Sequence, residues 1–186
     1  MRVTITKSES TAAAIVAAAT ECWAADPSAT LDEVAAIAGV GRATLHRHFP
    51  GGRLDLLHAC ATAGIAALDE ALRSAELEAA PPAVALDRLI DLLVQSGHRL
   101  HFLLVVDVSG NAEIVHAEQQ INDRIHAILD RATAQGVLRR EVSRIWRFRA
   151  IEALVYAAWT AIAAGEIAPL DAPVLVRDAM RRGFGT

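Results

Sequence analysis

Thr30–Arg53 reads TLDEVAAIAGVGRATLHRHFPGGR, and its pattern is that of two short helices joined by a tight turn. Thr30 is placed to cap the first, and Glu33, three residues on, completes a capping box. Leu31, Val34, Ala35 and Ala38 recur at helical spacing and give that helix one apolar face. Gly39-Val40-Gly41 then breaks it, because glycine readily takes the left-handed conformation that ends helices. The second helix is expected from Arg42 to about Phe49, with Leu45 and Phe49 turned inward. Arg42, Ala43, Thr44, His46, Arg47 and His48 are left to face outward or flank that stripe. A short helix with small, cationic and hydrogen-bonding groups outside suits a groove lined by phosphates. Two helices in this arrangement are the sequence form of a helix-turn-helix.

The rest of the composition makes this stretch a local signal. The 186 residues carry a formal net charge of −4, which does not describe a general polyanion binder. Residues 1–60 hold Arg2, Lys7, Arg42, Arg47 and Arg53 against Glu9, Glu21, Asp26, Asp32, Glu33 and Asp55. Between Gly39 and Leu54, however, three arginines and two histidines stand with no acid among them. Any contact with nucleic acid must therefore be focal. Cys22 and Cys60 are the only cysteines; they sit in apolar helical settings and read as small hydrophobes rather than a disulfide or metal framework. The polar opening MRVTITKSES has no apolar signal core, and no apolar run is long enough to span a bilayer, so a cytoplasmic chain is expected.

Outward from the hairpin the pattern is helical throughout, which sets the expectation of an all-α fold of about nine helices. Helix one is expected from about Ser10, capped by Ser10 or Thr11, to Ala25, with Ile15, Ala19, Cys22 and Trp23 inward and Asp26-Pro27 ending it. Arg53 opens helix four, which runs to about Glu78 and is followed by the break Ala79-Ala80-Pro81-Pro82. Helix five is expected over 82–95, a short sixth over 97–106, a seventh over 113–135, an eighth over 141–164 and a ninth to about Arg182. The division that follows is a helix-turn-helix domain over 1–56 and a helical domain over 57–186, linked by helix four.

The run AGVGRATLHRHF, followed by an arginine and a leucine-rich helix, resembles the TetR (tetracycline-repressor-like) family of transcriptional regulators. The sharp resemblance covers about residues 10–60. It implies a three-helix, homeodomain-like reading domain and a carboxy-terminal helical domain that dimerises and binds a ligand. In such a regulator the positions of Arg42, Ala43 and Arg47 serve bases, and those of Thr30, Thr44, His46, His48 and Arg53 serve the phosphate backbone. Two positions depart from the family pattern: Gly41 replaces a capping Ser or Thr, and His46 replaces a Tyr. The Pro50-Gly51-Gly52 turn is one residue longer than the common form.

The implied partners are a palindromic double-stranded operator, a second copy of the chain and a small, largely apolar ligand. Expected ligand-lining residues are Leu93, His98, Phe102, Val106, His116 and Trp159. Expected dimer residues are Trp146, Tyr156, Trp159, Val174 and Met180, the alternative for the aromatics being the protomer's own core. No cofactor and no resident metal are expected, although His98 and His101, three apart, with His116, Glu113 or Asp107, leave a metal-sensing variant open. No nucleophile motif, phosphate loop or dinucleotide fingerprint is present, so catalysis is not expected. The other reading left open is a helical interaction protein or enzyme whose reading head has decayed.

Overall fold

A computed structural model describes residues 7–97 and 111–186, and every regular element among them is helical. The order is α1 Lys7–Ala25, α2 Leu31–Ile37, α3 Arg42–His48, α4 Arg53–Ser74, α5 Pro82–Gly97, α6 Ala112–Ala134, α7 Arg144–Ala163 and α8 Ala172–Phe184. The expected sixth helix lies outside the described residues, apart from Gly97, which is the last described residue of α5. Two boundaries correct the sequence reading. Helix one already includes Lys7, the first described residue, so Ser10 and Thr11 lie inside it rather than capping it. Helix four ends at Ser74 rather than near Glu78, because Glu76 takes a left-handed backbone (φ 47°) that a helix cannot continue through.

The elements pack around two apolar clusters. Ile15, Ala19 and Trp23 of α1, Val34 and Ala35 of α2, Leu45 and Phe49 at α3, and Leu56 and Cys60 of α4 form the first. Trp23 is fully buried, and its indole Nε1 donates to the Ala29 carbonyl at 3.0 Å, satisfying the one polar atom that its burial would strand. The second cluster joins Leu72 of α4, Leu86, Leu89, Ile90 and Val94 of α5, Ile121, Ile125 and Leu129 of α6, Phe148, Ile151 and Val155 of α7, and Val176 and Met180 of α8. Helix α4 contributes to both, with Leu56 and Cys60 near its start and Leu72 near its end.

Ion pairs tie α8 to α5: Arg177 meets Asp91 and Arg181 meets Asp87, each pair one turn from the other along both helices. The chain end is fastened by a backbone bridge between Leu138 and Gly185, with Arg139 N–H donating to the Phe184 carbonyl at 2.8 Å.

Candidate nucleic-acid interface

Local chemistry builds the α2–α3 hairpin as its sequence demands. Thr30 caps α2: the Glu33 N–H reaches the Thr30 hydroxyl oxygen at 3.3 Å, and a Glu33 carboxylate oxygen accepts from the Thr30 N–H at 2.6 Å and from its hydroxyl at 2.7 Å. The Thr30 N–H first, then the hydroxyl, holds the Glu33 carboxyl below the usual carboxylate range. Gly39 takes the left-handed turn (φ 66°), and Val40 N–H closes it on the Ala35 carbonyl at 3.0 Å. Gly41 caps α3 with no side-chain hydrogen bond, as its replacement of a hydroxyl residue implies.

Leu45 (1% exposed) and Phe49 (8%) pin α3 to the first cluster. Arg42, Ala43, His46 and Arg47 then stand exposed, with Thr44 and His48 half-buried beside them. This is the outward face that the sequence predicted. Arg42 also forms an ion pair with Asp32 of α2 (3.3 Å), and at 73% and 60% side-chain exposure that pair is weak and exchangeable. Asp32 was not singled out from sequence. The signal was ten residues away, across a turn, where only the hairpin's geometry brings the two together.

Two residues expected to serve phosphate are used differently. The Thr30 N–H and hydroxyl are both spent on Glu33, so neither is free while the capping box is closed. Arg53 is half-buried and turned inward, with Nη1 on the Ala29 carbonyl at 2.7 Å, Nη2 on the Pro27 carbonyl at 2.5 Å, and the guanidinium carbon 4.4 Å from the centre of the Trp23 ring. Arg53 follows directly on the Pro50-Gly51-Gly52 turn. Gly52 caps α4 with φ 67°, and the Gly51 N–H is taken by the Asp55 carboxylate at 2.6 Å, which places an acid rather than a free amide at the start of α4.

In the second cluster, three of the expected ligand-lining residues, His98, Phe102 and Val106, lie outside the described residues, as does His101. Leu93 and Trp159 do meet: the Trp159 Nε1 donates to the Leu93 carbonyl at 3.1 Å. His116 is exposed on α6, 3.1 Å from the Gln120 amide nitrogen. An open cleft of about 950 Å³ lies elsewhere, between the end of α4, the α4–α5 connection and α6, lined by Leu72, Leu77, Ile128, Arg73, Arg124 and Arg131 among others, and by none of the expected residues. Among the described residues no three His, Cys, Asp or Glu side chains are grouped to hold a metal ion.

Of the expected dimer residues, Trp146 (60% exposed), Tyr156 (50%) and Val174 (54%) stand on the outer faces of α7 and α8. Met180 is fully buried in the second cluster, which corrects its assignment: the apolar face of α8 that carries it is spent on the protomer's own core. Trp159 is half-buried and packs on the same cluster.

A seven-residue helix held by a tight turn on a three-helix core, with its cationic face outward, defines a helix-turn-helix DNA-binding transcriptional regulator. Comparison with known proteins agrees. Residues 15–60 match the family described as bacterial regulatory proteins, tetR family. The chain is 31% identical over 154 residues to the HTH-type transcriptional repressor LfrR of Mycolicibacterium smegmatis, covering 82% of this chain and 79% of that protein. It is 34% identical over 121 residues to the HTH-type transcriptional regulator NfxB of Pseudomonas aeruginosa, covering 63% and 64%. The crystal structure of LfrR in complex with proflavine superposes with a TM-score of 0.80 over 96% of this chain and 98% of that one, at 27% identity. The TetR-family regulator PfmR of Thermus thermophilus shares the fold, with a TM-score of 0.67 at 20% identity over 88% and 90% of the two chains. The protein belongs to the TetR family of bacterial transcriptional regulators. Among the described residues, no helix is long and apolar enough to cross a membrane.

Proposed function

We propose that the chain is a cytoplasmic, homodimeric repressor that a small, largely apolar ligand releases from a palindromic operator, acting by regulation rather than catalysis. Residues 1–56 are its reading domain and 57–186 its regulatory and dimerising domain. The observation that carries this reading is α3 itself: Leu45 and Phe49 fix it, Arg42, His46 and Arg47 stand outside with hydrogen-bonding chemistry suited to base edges and phosphates, and Ala43 beside them offers an apolar methyl. One seven-residue helix reads few bases, so a second copy is needed for affinity. The outer faces of α7 and α8 and the connection between them supply apolar surface for it: Trp146, Tyr156, Leu170, Val174 and Leu175 are all at least half exposed.

Ligand-driven release follows from α4 sharing both clusters. A ligand that binds one α4 position better than the other shifts the spacing of two reading helices only by its difference in affinity. LfrR is in complex with proflavine in its crystal structure, and a planar aromatic cation of this kind is the first ligand to test. The experiment is operator retardation with DNA selected by the protein from a random pool, then titration with proflavine and related aromatic cations. Release at ligand concentrations that leave an unrelated DNA-binding protein bound supports the reading. An operator complex indifferent to these ligands contradicts the ligand assignment, and failure to select any sequence contradicts the repressor.

A further inference from the structure

The inward turn of Arg53 assigns it a job other than touching DNA. The segment between α1 and α2 is a short turn, closed on the backbone by the Ala29 N–H on the Asp26 carbonyl at 3.1 Å, and side chains tie it further. Asp26 organises its first half, accepting from the Ser28 N–H at 2.8 Å and the Ser28 hydroxyl at 2.7 Å. The second half depends on Arg53. The Ala29 carbonyl accepts from the buried Trp23 indole and from Arg53 Nη1, while Nη2 takes the Pro27 carbonyl. Ala29 immediately precedes Thr30, the cap of α2. Arg53 is the first residue of α4. One planar guanidinium therefore bridges the start of α4, the lead-in to α2 and the ring of the central tryptophan of α1.

We propose that Arg53 is a positioning residue for operator binding, a latch that fixes the α2–α3 hairpin against the start of α4 so that the reading helix follows α4 as one body. The inference builds on the DNA-binding reading and concerns how movement of α4 reaches α3. Two features favour a latch over a phosphate contact. Arg53's two terminal nitrogens each have a carbonyl partner within the protein, and a fork of fixed geometry is what bridging two carbonyls two residues apart requires. The Asp55 carboxylate at the Gly51 amide also puts negative charge beside the place where a phosphate would sit.

Lysine separates the two roles. Its ammonium is a point charge that serves a phosphate well but cannot span both carbonyls while lying flat on the indole. Arg53→Lys and Arg53→Ala are compared with wild type in the full chain by two measurements. The first is hydrogen exchange of the segment 24–33 without DNA, which does not depend on the operator. The second is affinity for the pool-selected operator as a function of salt. The latch predicts faster exchange in 24–33 in both variants. It also predicts an operator affinity lowered about tenfold or more in Arg53→Lys, the effect expected from losing charge-assisted hydrogen bonds, with the salt slope unchanged. Wild-type exchange in Arg53→Lys overturns the proposal. So does wild-type affinity in Arg53→Lys, or a salt slope reduced by about one in Arg53→Ala, since either marks a phosphate contact. Should Arg53→Ala fail to fold, Arg53→Lys alone decides.

Discussion

Gly97 of α5 lies directly against Trp159 of α7, and the contact is tight enough to predict what one methyl group does. A Cβ at Gly97 would lie 1.8 Å from Trp159 Cζ2 and 1.9 Å from Cε2. Ordinary carbon–carbon contact is about 3.5 Å or more, so the indole or the helix must move by about 1.5 Å or more. The indole is not free to do so: its Nε1 is bonded to the Leu93 carbonyl one turn earlier on α5, and its ring packs on the second cluster. Gly97→Ala gains at most about 1 kcal/mol from helix propensity. Against this stand about 1–3 kcal/mol of overpacking and about 1 kcal/mol for the strained or broken indole hydrogen bond. The expected net is a destabilisation of about 1–3 kcal/mol. The assay is urea unfolding followed by circular dichroism at one fixed protein concentration, on wild type, Gly97→Ala, Trp159→Ala and the double variant. With the ring removed, the methyl enters empty space, so Gly97→Ala becomes neutral or stabilising in the Trp159→Ala background. A Gly97→Ala that is as stable as wild type, or that costs the same with and without Trp159, refutes the reasoning.

Four further outcomes follow from the reading domain and the outer faces. Arg42→Ala and Arg47→Ala each weaken operator binding by about 1–3 kcal/mol if they touch bases, measured by fluorescence anisotropy; unchanged affinity in both removes the assignment of the recognition face. Thr30→Ala costs about 0.5–2 kcal/mol in chemical unfolding, because it strips the hydroxyl from a closed capping box. The Asp26 carboxyl is held below the usual range by the Ser28 hydroxyl first and the Ser28 N–H second, so its contribution to stability is present above the unfolded carboxylate value of about 4 and is lost as pH falls through the lower folded value. Ser28→Ala therefore shows a shallower loss of melting temperature on acidification below about pH 4 than wild type. Trp146→Ala with Tyr156→Ala raises the concentration at which the protein sediments as a monomer, and an unmoved equilibrium places the partner surface elsewhere.

The stretch Thr30–Arg53 was legible because each of its features is local. A capping box, a left-handed glycine and an i, i+4 apolar pair act within one or two turns, and the structure contains all three. What sequence could not show depends on distant partners. Arg53 reads as a free cation beside a recognition helix until Pro27, Ala29 and Trp23 are brought against it. Gly97 reads as the start of a helix, and the indole that requires its missing side chain lies on α7. Met180 and Trp146 are equally apolar in sequence, yet α8 turns Met180 into the core and α7 leaves Trp146 outside. An amphipathic stripe states that a residue faces something, and only packing distinguishes a core from a partner or a ligand.

The central claim is that α3 reads DNA and does so in duplicate. Selection of bound duplexes from a random pool by the purified wild-type protein tests both halves at once. The expected product is an enriched palindrome whose half-sites are centred about 10 base pairs, or a multiple of that, apart. Enrichment of nothing, or of a single asymmetric site bound by one copy, would contradict it.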